Sequence, residues 1–285
     1  MNRTPAAAGG VVHGPTVMVR PAGSALDLDL PSLWRSGELL YFLVWRDVKL
    51  RYKQTAIGAG WSILQPLITM VLFTAVFSGI AKIPSDGVPY PLFAYAALLP
   101  WSYFAQALSR GGNSLVSNSH LLTKVYFPRL IIPLSAVVSP LVDLAVAFVL
   151  LIAMMAWYGV TPTNGILVIP VFLVFCVLTA LAVSLWLSAL CVKYRDVSVV
   201  IPFMTQVWLY ASPVAYPASL VPDEWRLMYS LNPMAAVIEG FRWALFGTAA
   251  PDPAVVAASI LGVLVLLCGG LVYFKKMERV FADVV

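Results

Sequence analysis

The sequence has little charge for its length. Only 11% of its 285 residues are Asp, Glu, Lys or Arg, whereas 61% are hydrophobic. A typical soluble domain is about 25% charged and roughly 45–50% apolar, so a soluble globule of this size would have too few charges to cover its surface. The mean hydropathy of +0.88 agrees. These shortages exclude a plain soluble enzyme and predict an integral membrane protein.

The chain also lacks the residues that several kinds of site require. It has three cysteines in apolar runs and two isolated histidines, so neither a disulfide framework nor a metal site is predicted. No glycine is followed by lysine, which excludes the Gly-x-x-x-x-Gly-Lys phosphate loop. We therefore expect no cofactor in this chain. Membrane topology accounts for the net charge of +5, and no nucleic-acid partner is expected.

Six stretches are long and apolar enough to cross a membrane as helices, for which about 20 residues are needed. They cover residues 62–81, 91–109, 134–157, 166–191, 199–216 and 254–274. The fifth is short and ends in Ser212-Pro213 and Tyr216-Pro217. The predicted fold is an all-α integral membrane protein whose six-span domain covers residues 58–285.

The Lys and Arg residues predict the orientation. With the N-terminus inside, fifteen of the eighteen fall in inner segments, and only Lys82, Arg226 and Arg242 fall outside. Because inner loops are enriched in Lys and Arg, both termini are predicted to be cytoplasmic in an inner-membrane protein. Residues 1–33, rich in Ala, Gly and Pro, are predicted to be a disordered cytoplasmic segment.

Residues 34–57 predict an amphipathic helix in the inner membrane interface. Aromatic and leucine stripes lie on opposite sides of its wheel, namely Tyr41, Trp45 and Tyr52 against Leu39, Leu43 and Leu50. Two apolar stripes favour lipid on one side and protein on the other, and a simple anchor helix is the alternative. The basic residues between the stripes fit anionic phosphate, either of lipid head groups or of a substrate pyrophosphate. These candidates are Arg46, Lys49, Arg51 and Lys53.

Residues 110–133 form the longest inner connection. A short helix is predicted over residues 115–125, with Asn113 or Ser114 as its cap and Pro128 as its stop. It is either an incidental surface helix or a docking site for a cytoplasmic partner.

Residues 217–246 predict a helical hairpin that re-enters the membrane from outside. Asn232 is expected to cap a helix from Pro233 to about Phe246, and Gly247 to end it. Glu239 and Arg242 are three residues apart and can pair on one face of that helix.

Asp143 is the one ionisable residue well inside a predicted span. A carboxylate at the bilayer centre costs roughly 2.5–3.5 kcal/mol on insertion scales, so it must face protein, pair or titrate. Either it bonds to a neighbouring helix or it lines a pathway. A single carboxylate is little for a proton-coupled transporter, and the sequence shows no internal repeat, so another subunit is expected to supply the energy.

Seven motifs follow one another along residues 38–280. They are Trp45-Arg46-Asp47 with Arg51-Tyr52-Lys53-Gln54-Thr55 and Gly58; Gly60-Trp61 leading to Pro66; Tyr126-Phe127-Pro128-Arg129 leading to Pro133; Asp143; Lys193-Tyr194-Arg195-Asp196; Ser212-Pro213 with Tyr216-Pro217; and Asn232-Pro233-Met234 leading to Glu239-Gly240-Phe241-Arg242. In this order they resemble the motifs of the membrane subunit of ABC polysaccharide exporters.

The resemblance implies a homodimeric pore with two copies of a separate ABC ATPase subunit, which binds ATP and Mg²⁺. It implies as substrate a polysaccharide linked to undecaprenyl pyrophosphate, such as O-antigen, and no catalytic residue in this chain. The implied ATPase-coupling residues are Ser117, Asn118, His120, Leu121, Leu122 and Lys124. The implied outer-gate residues are Tyr216, Pro217, Asn232, Pro233, Glu239 and Arg242.

A sugar polymer is expected to slide along aromatic rings with few fixed charges. The candidates for this aromatic wall are Phe73, Phe77, Trp101, Tyr103, Phe104, Trp208 and Tyr210. Aromatic belts at the membrane interface are the competing explanation. Two other functions are kept open, namely export of a drug or lipid by a related ABC subunit, and a membrane enzyme that uses Asp143 with the Glu239–Arg242 pair.

Overall fold

The computed structural model describes residues 30–53, 60–124 and 127–284, where every regular element is a helix. The α-helices are α1 (Leu30–Arg35), α2 (Gly37–Tyr52), α3 (Gly60–Phe73), α4 (Tyr90–Ser117), α5 (Ser119–Lys124), α6 (Ile131–Val138), α7 (Leu141–Trp157), α8 (Ile169–Lys193), α9 (Val197–Tyr210), α10 (Arg226–Ser230), α11 (Pro233–Phe246) and α12 (Pro253–Val284). A π-helical stretch, Thr74–Ile80, continues α3, and short 3₁₀ turns cover Asn164–Val168, Ala218–Leu220 and Asp223–Trp225.

Several of these helices fit a membrane. By length and composition, four described stretches can cross one, namely Gly60–Ile80, Ile131–Trp157, Asn164–Lys193 and Pro253–Glu278. Helix α9 is apolar but has 14 residues. Helix α4 has 28 residues, and its Tyr, Trp and Pro residues make it less apolar than the four. The structure thus confirms an all-helical membrane protein, whereas the count of six spans and the re-entry of the hairpin stay predictions.

Helix α4 lies at the centre of the fold, where it packs against α3, α6, α7, α8, α9 and α11. Leu92, Tyr95 and Phe104 on this helix have no exposed surface. Helix α4 thus contributes more buried residues than any other described helix, although it is less apolar than the four long stretches, because a helix that packs against protein can carry small and polar residues.

The connection 110–133 differs from its prediction. Residues 110–117 continue α4, and the separate short helix is α5. Gly111 and Gly112, which resemble a loop signal, are instead points of close helix packing. A Cβ atom on Gly111 would lie 2.3 Å from Ser184 Oγ, and one on Gly112 would lie 2.5 Å from Ile201 Cδ1.

The N-terminal prediction is only partly within the described residues, since residues 1–29 and 54–59 lie outside them. Residues 30–33, which the prediction includes in the disordered segment, begin α1, and Pro31 is compatible with the first turn of a helix. The predicted interfacial helix consists of two, α1 and α2, and its residues 54–57 are not described.

The third predicted span also consists of two helices, α6 and α7, which are separated at Ser139-Pro140. Pro140 lacks the N–H that would continue the ladder of hydrogen bonds. Of the three cysteines in apolar runs, Cys176 and Cys191 are buried, but Cys268 is exposed on α12.

Candidate functional site

Helix α2 packs against α6 and presents two different sides. Leu43 is buried, whereas Tyr41 and Trp45 on the aromatic stripe are 63% and 47% exposed. Leu50, from the leucine stripe, is exposed as well. The half of the leucine stripe nearer the N-terminus therefore faces protein. On the aromatic stripe Tyr41 and Trp45 are exposed, whereas Tyr52 is half-buried and donates to Asp143.

The four basic residues proposed for phosphate divide into two pairs. Arg46 Nη2 donates to Asp47 Oδ1 at 2.8 Å and to Asn118 Oδ1 at 2.9 Å. Arg51 forms an ion pair with Asp143. Lys49 and Lys53 are exposed, and Lys49 Nζ lies 5.3 Å from the centre of the Trp45 ring.

Asp143 is bonded to protein, and its partners come from α2 rather than from a neighbouring span. Its side chain is 4% exposed, pairs with Arg51, and accepts a hydrogen bond from the hydroxyl of Tyr52. Sequence reasoning missed this contact. The contact could have been suspected from the sequence, because Arg51 lies just before the first predicted span and Asp143 is the single acid inside a later one. A small cavity lined by Ser62, Ser102 and others lies beside Asp143, between α3, α4 and α7.

The predicted coupling residues lie at the junction of α4 and α5. Ser117 ends α4, and Asn118 Nδ2 donates to the carbonyl of Ser114 at 2.9 Å. The others lie on α5: His120, Leu121, Leu122 and Lys124. Leu122 packs against a cluster of buried residues that joins α4, α6, α8 and α12. Arg46 thus connects α2 directly to this junction.

Three members of the proposed aromatic wall lie in the interior of the chain. Trp101, Tyr103 and Phe104 on α4 are 5%, 1% and 0% exposed, and Tyr103 donates to the carbonyl of Val137 at 3.1 Å. In this structure they are core residues rather than part of an open surface. Sequence alone did not distinguish a core position from a position on an open surface, because an aromatic ring is compatible with both.

The other four members lie at the end of the first span and on α9. The rings of Phe73 and Phe77 meet edge to face at 5.2 Å, and both are half-buried. Trp208 is half-buried, whereas Tyr210 is 59% exposed. Phe203 was not among the predicted wall residues, but it is 69% exposed. It lies seven residues before Tyr210, and residues at that spacing share one face of a helix.

The helix predicted at Pro233 is confirmed as α11. Asn232 Oδ1 accepts from the N–H of Met234 at 3.1 Å, and Gly247 follows in the left-handed region with φ of 68°. Asn232 also ties this cap to the end of α9. Its Oδ1 accepts from Trp208 Nε1 at 2.9 Å, and its Nδ2 donates to Ser212 Oγ at 3.0 Å.

The predicted Glu239–Arg242 pair is not formed among the described residues, because each side chain has other partners. Arg242 is 3% exposed and is bound by backbone carbonyls. It donates to Phe93 O at 3.2 Å, Pro213 O at 2.6 Å, Val214 O at 2.8 Å and Tyr216 O at 3.4 Å. Its guanidinium carbon lies 3.4 Å from the centre of the Phe93 ring. Arg242 therefore holds the irregular turn after α9 against α4.

Glu239 accepts a hydrogen bond of 2.6 Å from the hydroxyl of Tyr229. Burial, followed by the nearby Glu239 carboxylate, raises the pKa of Tyr229, so the phenol keeps the proton that it donates. Both residues line a cavity of about 330 Å³ that Pro217 and Arg242 also line. The predicted gate residues, including the half-buried Tyr216, thus meet around one cavity and one turn.

A membrane enzyme is not supported by this geometry. Asp143 is occupied by Arg51 and Tyr52, and Glu239 by Tyr229. The described residues contain no group of three or more His, Cys, Asp or Glu side chains placed to hold a metal ion. The acids that an enzyme would need therefore do not converge.

Comparison with known proteins gives consistent results. Residues 38–246 match the ABC-2 type transporter family. The chain is 29% identical to the O-antigen export system permease protein RfbA of Myxococcus xanthus, over 88% of this chain and 96% of that protein. A protein of the same name from Klebsiella pneumoniae is 26% identical over 87% and 95% of the two chains.

The polysialic acid transport protein KpsM of Escherichia coli is 21% identical, over 82% of this chain and 91% of that protein. These relatives are named as transport proteins rather than enzymes. The resemblance noted from seven sequence motifs is thereby confirmed. The chain belongs to the ABC-2 type transporter family, as a membrane permease subunit similar to those of polysaccharide exporters.

Proposed function

We propose that this chain is the pore-forming subunit of an ATP-driven exporter for a polysaccharide linked to undecaprenyl pyrophosphate, specifically O-antigen. Two copies form the pore in the inner membrane, both termini are cytoplasmic, and two copies of a separate ABC ATPase supply the energy. The similarity to O-antigen export permeases over nearly the whole chain carries this proposal.

The charge distribution along the chain supports a neutral, hydroxyl-rich cargo. The exposed side of α9 carries Phe203, Val207 and Tyr210, with no charged residue on that helix. Sugar rings pack their C–H faces against such side chains, whereas fixed charges would hold a polymer too tightly to slide. We therefore assign the polymer path to this side of α9 together with Phe73 and Phe77 at the end of the first span.

We assign the phosphate contacts to two lysines, Lys49 on α2 and Lys53 directly after it. Arg46 and Arg51 already have protein partners, whereas Lys49 and Lys53 are exposed. A lysine ammonium is a mobile point charge that binds phosphate without a fixed geometry. Either lysine is thus placed to meet the pyrophosphate of a lipid-linked glycan at the inner interface.

The proposal is tested by reconstitution. The chain is placed in liposomes with a cognate ABC ATPase subunit and with lipid-linked O-antigen as cargo. We expect ATP-dependent movement of the glycan across the bilayer with both proteins and none with this chain alone. Export by the chain alone, or ATP-driven movement of a lipid or drug without glycan transport, would refute the proposal.

Docking of the ATPase at α5 has its own test. Leu121→Glu places a charge on α5 without removing Leu122 from the cluster that it packs against. We expect ATPase binding and export to be lost, while Lys276→Glu, a comparable change at an exposed position of α12, leaves both intact. Equal export by both variants would exclude docking at this helix.

A further inference from the structure

Helix α2 is tied at two points to different parts of the chain. Arg46 donates to Asn118, at the junction where α4 meets α5. Arg51 and Tyr52, at the end of α2, both bind Asp143 on α7. Arg46 and Arg51 are separated by about 7.5 Å along the helix axis, given the rise of an α-helix. One rigid element of little more than a turn therefore connects the α4–α5 junction with the first turn of α7.

Stability alone gives a poor account of the contact at Asp143. A buried ion pair loses much of its attraction to the cost of desolvation, and apolar residues of the same volume often hold a fold equally well. The pair is also incompletely bonded. Arg51 Nε and Nη2 are buried and have no hydrogen-bond partner among the described residues. Such a contact can separate and re-form at less cost than a fully bonded one.

The position of Asp143 on α7 suits a movable joint. The break between α6 and α7 at Ser139-Pro140 lies one turn before it. Helices bend most readily where proline interrupts the backbone hydrogen bonds. A displacement of Asp143 therefore acts close to this break and tilts α7 relative to α6. Helix α6 in turn packs against α2.

We propose that Arg51, Tyr52 and Asp143 form a latch through which movement of α2 reaches α7. Movement that the ATPase imparts to α5 passes to α2 through Asn118 and Arg46, and from α2 to α7 through the latch. Their role here is that of positioning residues, because they act through α7 by binding one another. The inference rests on the proposed ATP-driven export and adds the route by which the energy reaches the spans.

The test removes the latch without leaving a buried charge. The variant Arg51→Met/Tyr52→Phe/Asp143→Leu replaces all three polar groups by apolar ones of similar size. Its control is Lys275→Met/Glu278→Leu, which removes an ion pair of 3.3 Å on α12. Both are reconstituted with the ATPase, and glycan export is measured per ATP hydrolysed.

We expect the latch variant to assemble and to hydrolyse ATP like the native protein, with export per ATP lowered about tenfold, within the usual range of coupling between sites. The control is expected to keep the native ratio. A native ratio in the latch variant would overturn the inference. Absence of export by the native pair of proteins would instead refute the proposed function.

Single changes at Asp143 decide the matter even if the triple variant does not assemble. Asp143→Glu keeps the charge and should keep export coupled to ATP hydrolysis, whereas Asp143→Asn keeps the shape and should uncouple them. Removing a carboxylate does not weaken binding of an anionic phosphate, so loss of substrate binding does not explain this pattern. Equal ratios for the two variants would overturn the latch.

Discussion

Two regions of the molecule each hold an arginine against protein, in opposite ways. The Arg51 side chain at the end of α2 is 19% exposed, and Arg242 on α11 is 3% exposed. At the α2 end, Arg51 binds the side chain of Asp143 with one nitrogen and leaves two others without a partner among the described residues. At the α11 end, Arg242 binds four backbone carbonyls and one aromatic ring. The first contact joins two side chains from different helices, and the second fixes a stretch of backbone.

This difference separates a movable contact from a fixed one. Two side chains joined by one contact can part by changing rotamers, whereas Arg242 can part from its acceptors only by breaking its bonds to Phe93 O and to three carbonyls of residues 213–216 together. Arg242 therefore belongs to the rigid frame of the outer turn. Movement at the α11 end is expected to carry the turn and α11 together, while movement at the α2 end is expected to occur between helices.

The largest expected effect is that of Arg242→Ala. Each buried acceptor left without a donor costs about 1–3 kcal/mol, so losing this side chain should destabilise the protein by roughly 3–5 kcal/mol. Thermal unfolding in detergent measures the loss, and Arg242→Lys should recover part of it, since an ammonium can reach fewer of the carbonyls. An unchanged melting temperature for the Ala variant would show that the turn does not depend on Arg242.

Arg51→Met should have a smaller effect. It leaves Asp143 charged without its partner, at a cost of about 2–3 kcal/mol, somewhat less than for a fully buried pair because the Arg51 side chain is partly exposed. The triple latch variant should be more stable than this single variant, since it leaves no charge behind. If the triple variant is the less stable of the two in the same thermal assay, the Arg51–Asp143 pair mainly stabilises the fold. It would then not differ from Arg242 as a movable contact differs from a fixed one.

Gly240→Ala tests how tightly α11 is packed. A Cβ atom there would lie 2.2 Å from a ring carbon of Phe172 on α8, and overpacking of this kind costs about 1–3 kcal/mol. The matched control is Gly37→Ala at the start of α2, where a Cβ atom would meet nothing within 4 Å. A melting temperature lowered equally by both changes would contradict the difference in packing.

Asn232→Ala should have the smallest effect, about 1 kcal/mol for the loss of a helix cap. Asn232→Asp keeps the acceptor for Met234 and Trp208 but loses the donor to Ser212, so it should lie between the Ala variant and the native protein. Hydrogen exchange of the first turn of α11 measures this directly. Unchanged protection in the Ala variant would mean that packing alone holds the start of α11.

The parts of the structure that sequence predicted well depend on local chemistry. The start of α11 at Pro233 and its end before Gly247 follow from a cap residue and a left-handed glycine, which act within one turn. Gly111 and Gly112 show the limit of such signals. The same residue type serves a loop or a close helix contact, and only the neighbouring helix decides which.

The candidate site was predictable in its parts but not in its connections. Asp143 stands out because a lone acid in an apolar run is costly, yet nothing near it in sequence identifies Arg51 as its partner. Glu239 and Arg242 suggested a pair by spacing alone, but carbonyls from a turn more than twenty residues earlier bind the arginine instead.

The amino-acid sequence by itself determined that this chain is a helical membrane protein of the ABC-2 type, because long uncharged runs and ordered motifs are properties of the chain alone. The tertiary structure decided which arginine meets a carboxylate, which aromatic rings are buried, and which glycines are contacts. Those outcomes depend on residues far apart in sequence, and in a chain that is apolar almost throughout, hydrophobic pattern does not distinguish a lipid-facing side chain from a core one.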